Sequence, residues 1–310
     1  MKKTIAILAA LLLSVSSITA QTAEANASKI IDMTNYVVDM YNGYLSSLKK
    51  VRKGLETADN NFETLSENIE RTAYSWDCAY IILRSDYREK FEKAAAAAPA
   101  FPEKANIQSG IKYVQDNTER LSKSCSDFKN YFVKKEYKQD TDWTTFEELY
   151  KNMETAYIDL SDMWSKTMKL AAEAGDRSEL VLLKKSPIAE FIIPMKTDLS
   201  SAAKIIDKFA EDEVDNADIK NAIEVLKKAV EKNRVLTGKN VANLEKYSSK
   251  PNYEGYYSMM DDFIELATKL ENLMDPANAM DEERRNEQIE NTYSLISYKY
   301  NSLVENYNIM

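Results

Sequence analysis

Apolar residues recur along this chain in steps of four and three. Ile30, Thr34, Val37, Tyr41, Tyr44, Leu48, Val51 and Leu55 make one such row. Phe62, Leu65, Ile69, Thr72, Trp76, Ala79 and Leu83 continue it. Ile107, Ile111, Val114, Thr118, Leu121, Cys125, Phe128 and Phe132 form another, and Ile289, Tyr293, Ile296, Tyr300, Leu303, Tyr307 and Met310 a last one. This spacing confines the apolar groups to one face of a helix. Its persistence over several heptads predicts coiled-coil-like packing at shallow crossing angles. A strand would need alternation by two, and no stretch sustains it. Only six Gly and six Pro interrupt 310 residues. The expected fold is all-α, an elongated antiparallel helical bundle of about eight helices, arranged as two stacked four-helix bundles.

Punctuation sets the expected helix ends. Asp59-Asn60-Asn61 is a turn candidate, although the stripe passes through it nearly in phase, so one helix over 29–97 is the competing reading. Pro99 and Pro102 end the next segment, because an interior proline loses a hydrogen bond and clashes with the preceding turn. Thr144 and Glu147 have capping-box spacing after the polar break at 139–142. Gly175 fits a helix C′ position. Pro187 and Pro194 mark residues 178–195 as a linker with a short helix, after which Asp198 opens a new helix and Asp215-Asn216 breaks it. Further turns are expected at 248–252 and at Asp275-Pro276. The domains are therefore expected at 21–177 and 196–310.

Residues 1–20 read as a secretory signal. Lys2 and Lys3 precede an unbroken apolar run from Ile5 to Leu13, and small residues follow as far as Ala20. The run is too short for a permanent transmembrane helix. Cleavage is expected after Ala20, with Ala25 as the second site, which places the chain in the periplasm or outside the cell. No cysteine near these sites offers a lipid attachment point. Cleavage removes two lysines and no acid, so the mature chain is more acidic than the −9 of the full sequence. An acidic chain without a basic block argues against nucleic acid and anionic lipid as partners. No later apolar run reaches the length of a membrane span.

Cys78 and Cys125 are the only cysteines, and residues 101–102 lie midway between them, inside the Pro99–Pro102 turn. In an antiparallel hairpin about that turn the two sit side by side. Export would carry them into an oxidising compartment. A Cys78–Cys125 disulfide is expected, contributing about 4 kcal/mol at most by restricting the unfolded chain.

The chain contains no histidine. That removes Ser-His-Asp and Cys-His catalysis, imidazole zinc sites, CxxCH haem attachment and the Glu-x-x-His di-iron site of helical bundles. No P-loop or GxGxxG occurs. The acidic run Glu211, Asp212, Glu213, Asp215, Asn216 and Asp218 lacks the glycine and the final glutamate of an EF-hand loop. Glu147-Glu148 and Asp261-Asp262 read as solvated helix faces. No catalytic, cofactor or metal residue is assigned, and the chain is read as a non-enzyme.

The nineteen tyrosines carry more information. Those at 41, 44, 293, 300 and 307 follow the stripes and read as core or helix-interface residues. Trp76, Trp143 and Trp164 lie on or beside the stripes too. Tyr253, Tyr256 and Tyr257 cluster near a turn and are the candidate exposed binding patch. Ala94–Ala98 with Pro99-Ala100-Phe101 forms a small apolar hairpin tip, too short for membrane insertion.

The segment KIIDMTNYVVDMYNGY at 29–44 and SYKYNSLVENYN at 297–308 carry Tyr-Asn pairs at helical spacing behind a signal peptide. They resemble the YiiG-like family of uncharacterised exported helical proteins. The likeness covers the first and last helices. It implies a helical fold and an exported compartment, and supplies no catalytic residues. Many members of that family look like lipoproteins, a feature for which this chain lacks the cysteine.

Together these readings predict a non-catalytic bundle of the cell envelope or exterior that acts by protein–protein contact, with self-association through the heptads left open. The alternative is a module holding a small molecule or glycan in a tyrosine-lined groove between helices. One consequence is directly measurable. Intact mass after alkylation without reductant should show no alkylated cysteine, and two after reduction. Two alkylated thiols before reduction would overturn the Cys78–Cys125 pairing.

Overall fold

The computed structural model describes residues 2–60, 85–210, 214–236, 239–248, 250–275 and 280–310. All regular structure among them is helical: α1 (Lys2–Asn60), α2 (Ser85–Ala97), α3 (Lys104–Val133), a 3-10 turn (Glu136–Lys138), α4 (Thr144–Leu183), α5 (Ala189–Phe209), α6 (Asn216–Asn233), α7 (Val241–Tyr247), α8 (Lys250–Met274) and α9 (Glu282–Ile309). The all-α expectation is met, with nine helices among the described residues rather than eight. None of them is long and apolar enough to cross a membrane. The chain divides into two compact units, 1–182 and 183–310.

The first unit is built on the predicted stripes. All eight stripe residues of α3 are buried, and so are Thr34, Val37, Tyr44, Leu48, Val51 and Leu55 of α1. Trp164 of α4 is fully buried between Tyr41 and Tyr44, at ring distances of 5.5 and 5.9 Å. The Tyr44 hydroxyl also lies 3.3 Å from the Thr118 Oγ1 of α3. The stripe at 62–83, Trp76 and Cys78 lie outside the described residues, as does the choice between one helix and a hairpin over 29–97. Cys125 sits on the buried face of α3. The hairpin tip folds onto the core, with Ala95 and Ala98 buried and the Lys104 ammonium on the Ala98 carbonyl at 2.5 Å.

Several expected boundaries move. Thr144 does not cap α4 with Glu147. Trp143 takes a left-handed φ of 59° just before the helix, and Asp140 reaches forward to the amides of Thr145 and Phe146 at 3.3 and 3.0 Å. Tyr131 donates to the same carboxylate at 2.7 Å. Partial burial pushes the Asp140 carboxyl up, but these three hydrogen bonds outweigh it and hold the group below its usual 3.8. Gly175 does not end α4, which runs eight residues further. It faces Thr34 of α1, whose Oγ1 would stand 3.2 Å from a Cβ added there. Its small size serves close helix approach, not a cap.

The expected linker at 178–195 contracts as well. α4 extends through Leu183 and α5 begins at Ala189, carrying Pro194 inside it. Pro187 precedes the helix instead of interrupting it. Asp198 is therefore no helix start; it lies within α5 and is 1% exposed. Asp215 does open α6, accepting from the amides of Ala217 and Asp218 at 2.9 and 3.1 Å. Asp218 pairs with Lys208 of α5. In this second unit α5, α6, α8 and α9 pack antiparallel around a core of their own, to which α7 contributes Leu244.

Gly110 tests the packing of α3 on α4. A Cβ there would overlap Thr167 Oγ1 and stand 3.2 and 3.3 Å from that residue's Cβ and Cγ2. Thr167 is buried and bonded to the Met163 carbonyl at 2.7 Å, so it has little room to yield. Gly110→Ala should cost about 1–3 kcal/mol of overpacking, more than the ~1 kcal/mol that alanine gains in helix propensity. Thermal unfolding should show a lowered Tm, largely restored in Gly110→Ala/Thr167→Ala. An unchanged Tm in the single variant would mean the helices separate freely there.

Candidate functional site

Tyr253, Tyr256 and Tyr257 recur at i, i+3 and i+4, which places them on one face of a helix. α8 already begins at Lys250, so all three lie on regular helix rather than in the turn. That face meets the core. The residues are 1%, 0% and 2% exposed, and the expected surface patch is corrected to an interior cluster. Their rings pack edge-on, 4.9 Å between Tyr253 and Tyr257 and 5.2 Å between Tyr256 and Tyr257.

Burial obliges each hydroxyl to find a partner. Tyr256 donates to the Met195 carbonyl at 2.7 Å. Tyr253 donates to the Asn233 carbonyl at 2.5 Å, and Tyr257 to Asp198 Oδ2 at 3.3 Å. Asn233 binds the whole arrangement together. Its side-chain amide donates to both Asp198 oxygens at 3.0 Å. It is also the last residue of α6, and its carbonyl accepts from the Lys239 ammonium at 2.8 Å. A cation at a helix C-terminus is favoured by the macrodipole. Lys239 further lies 5.6 Å from the Phe191 ring centre and 5.8 Å from that of Tyr253. Glu190 takes the next amide, that of Asn240, at 2.6 Å.

The electrostatics follow from burial. Burial pushes the Tyr253 phenol up to about 12, and drives the phenols of Tyr256 and Tyr257 up further. Burial draws the Lys239 ammonium down, against Glu190 and Asp198, which favour its charge. Burial raises the Asp198 carboxyl, against the hydrogen bonds from Asn233 and Tyr257 and the charge of Lys239. The network is satisfied within itself and joins α5, α6 and α8.

One residue beyond Asn233 and one turn beyond Tyr257, Arg234 and Asp261 form an ion pair. They stand at one end of a cleft of about 730 Å³ between α6 and α8. Ile264 and Leu273 line it, with charged side chains on both walls and no aromatic ring. Sequence reasoning missed this cleft. Among the described residues no three His, Cys, Asp or Glu side chains come together as metal ligands.

Comparison with protein-family profiles finds no match, and comparison with curated proteins finds none either. Among solved structures, the chain is similar to a crystal structure described as that of an alpha helical protein from Bacteroides fragilis. The two share 15% identity, over 89% of this chain and 98% of the other, with a TM-score of 0.42.

Asp198 gives the interior network a pH signature. The folded protein keeps a proton on this carboxyl at pH values where the unfolded chain has lost it. The unfolded state binds fewer protons there, so this group's contribution to stability falls as pH rises from its ordinary 3.8 through the higher folded value. Asp198→Asn removes the titration and keeps an acceptor. The Tm of the native protein relative to the variant should be highest below the ordinary carboxyl value of 3.8 and shrink as pH rises above it. A difference that stays constant with pH would show that Asp198 titrates as it does in the unfolded chain.

Proposed function

We propose that this chain is an exported, non-catalytic protein of the bacterial cell envelope or exterior, acting by protein–protein contact. The observation that carries the reading is a row of bare apolar side chains on α9. Leu295, Tyr298 and Ile309 are 52%, 69% and 70% exposed. At the α-helical repeat the three fall within an arc of about 60°. The opposite face of α9 is spent on the core through Thr292, Ile296, Leu303 and Tyr307. Single exposed apolar residues are ordinary on a protein surface, whereas contiguous ones mark contact sites; here Leu295 and Tyr298 adjoin, and Ile309 extends the same arc beyond Ser302.

Export is supported by the signal pattern at 1–20 and by the resemblance to the YiiG-like family. The Cys78–Cys125 disulfide belongs to the same reading. The tyrosine-lined groove loses its support, because Tyr253, Tyr256 and Tyr257 serve the core.

A photoreactive phenylalanine analogue in place of Tyr298 tests the contact in the native host. Irradiation should yield one discrete adduct, either to another envelope protein or to a second copy of the chain. The same group in place of the exposed Lys228 should yield none. No adduct at 298, or equal labelling at both positions, would remove the α9 face as the contact surface.

A further inference from the structure

The cleft between α6 and α8 has an electrical direction along its length. Lys227 and Glu231 stand one turn apart on the α6 wall, and Glu265 and Lys269 one turn apart on the α8 wall. The helices run antiparallel. The Asn216 amide at the start of α6 reaches the Met274 carbonyl at the end of α8 at 3.2 Å, and Arg234 pairs with Asp261 at the other end. Reversed chain direction gives both walls the same spatial order. From the Arg234 end the acids Glu231 and Glu265 come first, and the lysines Lys227 and Lys269 follow one turn beyond. Four residues of helix separate the two charge levels by about 6 Å.

These charges are not consumed by one another. Elsewhere the same i,i+4 spacing closes into ion pairs, as in Lys112–Asp116 and Lys123–Asp127, both at 2.6 Å. Among the described residues neither Lys227 with Glu231 nor Glu265 with Lys269 does so. The Arg234 guanidinium at the cleft's end is committed to Asp261 through Nη2. Ile264 and Leu273, 8% and 5% exposed, supply apolar floor. The cleft is open to solvent along its length, with Lys227, Glu231, Glu265 and Lys269 all exposed on its walls.

We propose that the cleft binds a zwitterion whose ammonium and carboxylate stand about 6 Å apart, the separation found in an extended dipeptide with free termini. The ammonium lies at Glu231 and Glu265, and the carboxylate at Lys227 and Lys269. A single amino acid is too short to reach both levels. A blocked terminus leaves one pair of protein charges facing an uncharged group. The chemistry has two sources, a dipeptide or a longer ω-amino acid, and the probes below separate them.

Isothermal titration of the full chain with Ala-Ala should give a Kd below about 1 mM. Alanine, N-acetyl-Ala-Ala and Ala-Ala-amide should each bind at least about tenfold more weakly. Glu265→Gln and Lys269→Gln alter exposed side chains, so both variants should keep the native Tm and lose Ala-Ala affinity by a similar factor. Equal affinity for 5-aminopentanoate, which has the same number of bonds between its charges, would assign recognition to the charges alone, and preference for Ala-Ala would add the peptide unit. The proposal is overturned if neither Ala-Ala nor 5-aminopentanoate binds at about 10 mM, or if both variants bind them unchanged.

Discussion

A helix satisfies its own backbone, so nothing but side-chain burial along one face can hold helices to one another. The fold depends on that constraint. Where a strand pairing would specify register through main-chain hydrogen bonds, each helix here finds its register through the shapes on its buried face. Trp164 lodged between Tyr41 and Tyr44 is one such specification. Gly110 against Thr167 and Gly175 against Thr34 are others, made by subtraction of a side chain. Large and small residues on facing helices thereby do what ladder hydrogen bonds do in a sheet.

Apolar packing alone tolerates slippage, since a heptad pattern looks similar after a shift of seven residues. Buried polar groups do not tolerate it, because a displaced donor is left unsatisfied. Among the described residues each unit contains such a device, wholly or partly buried. In the first, Asp140 ties Tyr131 on α3 to the opening amides of α4. In the second, Asn233 joins Asp198 on α5 to Tyr253 on α8. Both devices sit at or next to a helix end, where backbone groups lack intrahelical partners and a side chain can answer them.

What could be read from the sequence follows the same division. The stripes were legible because the spacing of apolar residues depends on one helix at a time, and all eight stripe residues of α3 are buried. The helix ends were less so. Gly175 resembles a cap in isolation, and only the presence of α1 opposite shows that its lost side chain makes room for Thr34. Asp198 resembles a helix start, since aspartate is a favoured N-cap residue. Its actual place depends on an asparagine 35 residues away. Tyr253, Tyr256 and Tyr257 stand out as a group in the sequence and form one in the fold, inside the core and not at the surface. Their i, i+3, i+4 spacing was the signal for a helical face, outweighed by their nearness to a turn.

The cleft between α6 and α8 was illegible for a deeper reason. Lys-x-x-x-Glu on one helix and Glu-x-x-x-Lys on another are commonplace surface patterns. They acquire a common direction only when the helices are antiparallel and in one register. That register is fixed by the interior network: Asn233 and Tyr257 are bound to the same Asp198, and the next residue of α6 and the next turn of α8 carry Arg234 and Asp261. A slip of one turn along α8 would set Lys269 where Glu265 now stands and abolish the separation into an acidic and a basic level. The order of charges at the surface is thus a consequence of hydrogen bonds made in the core.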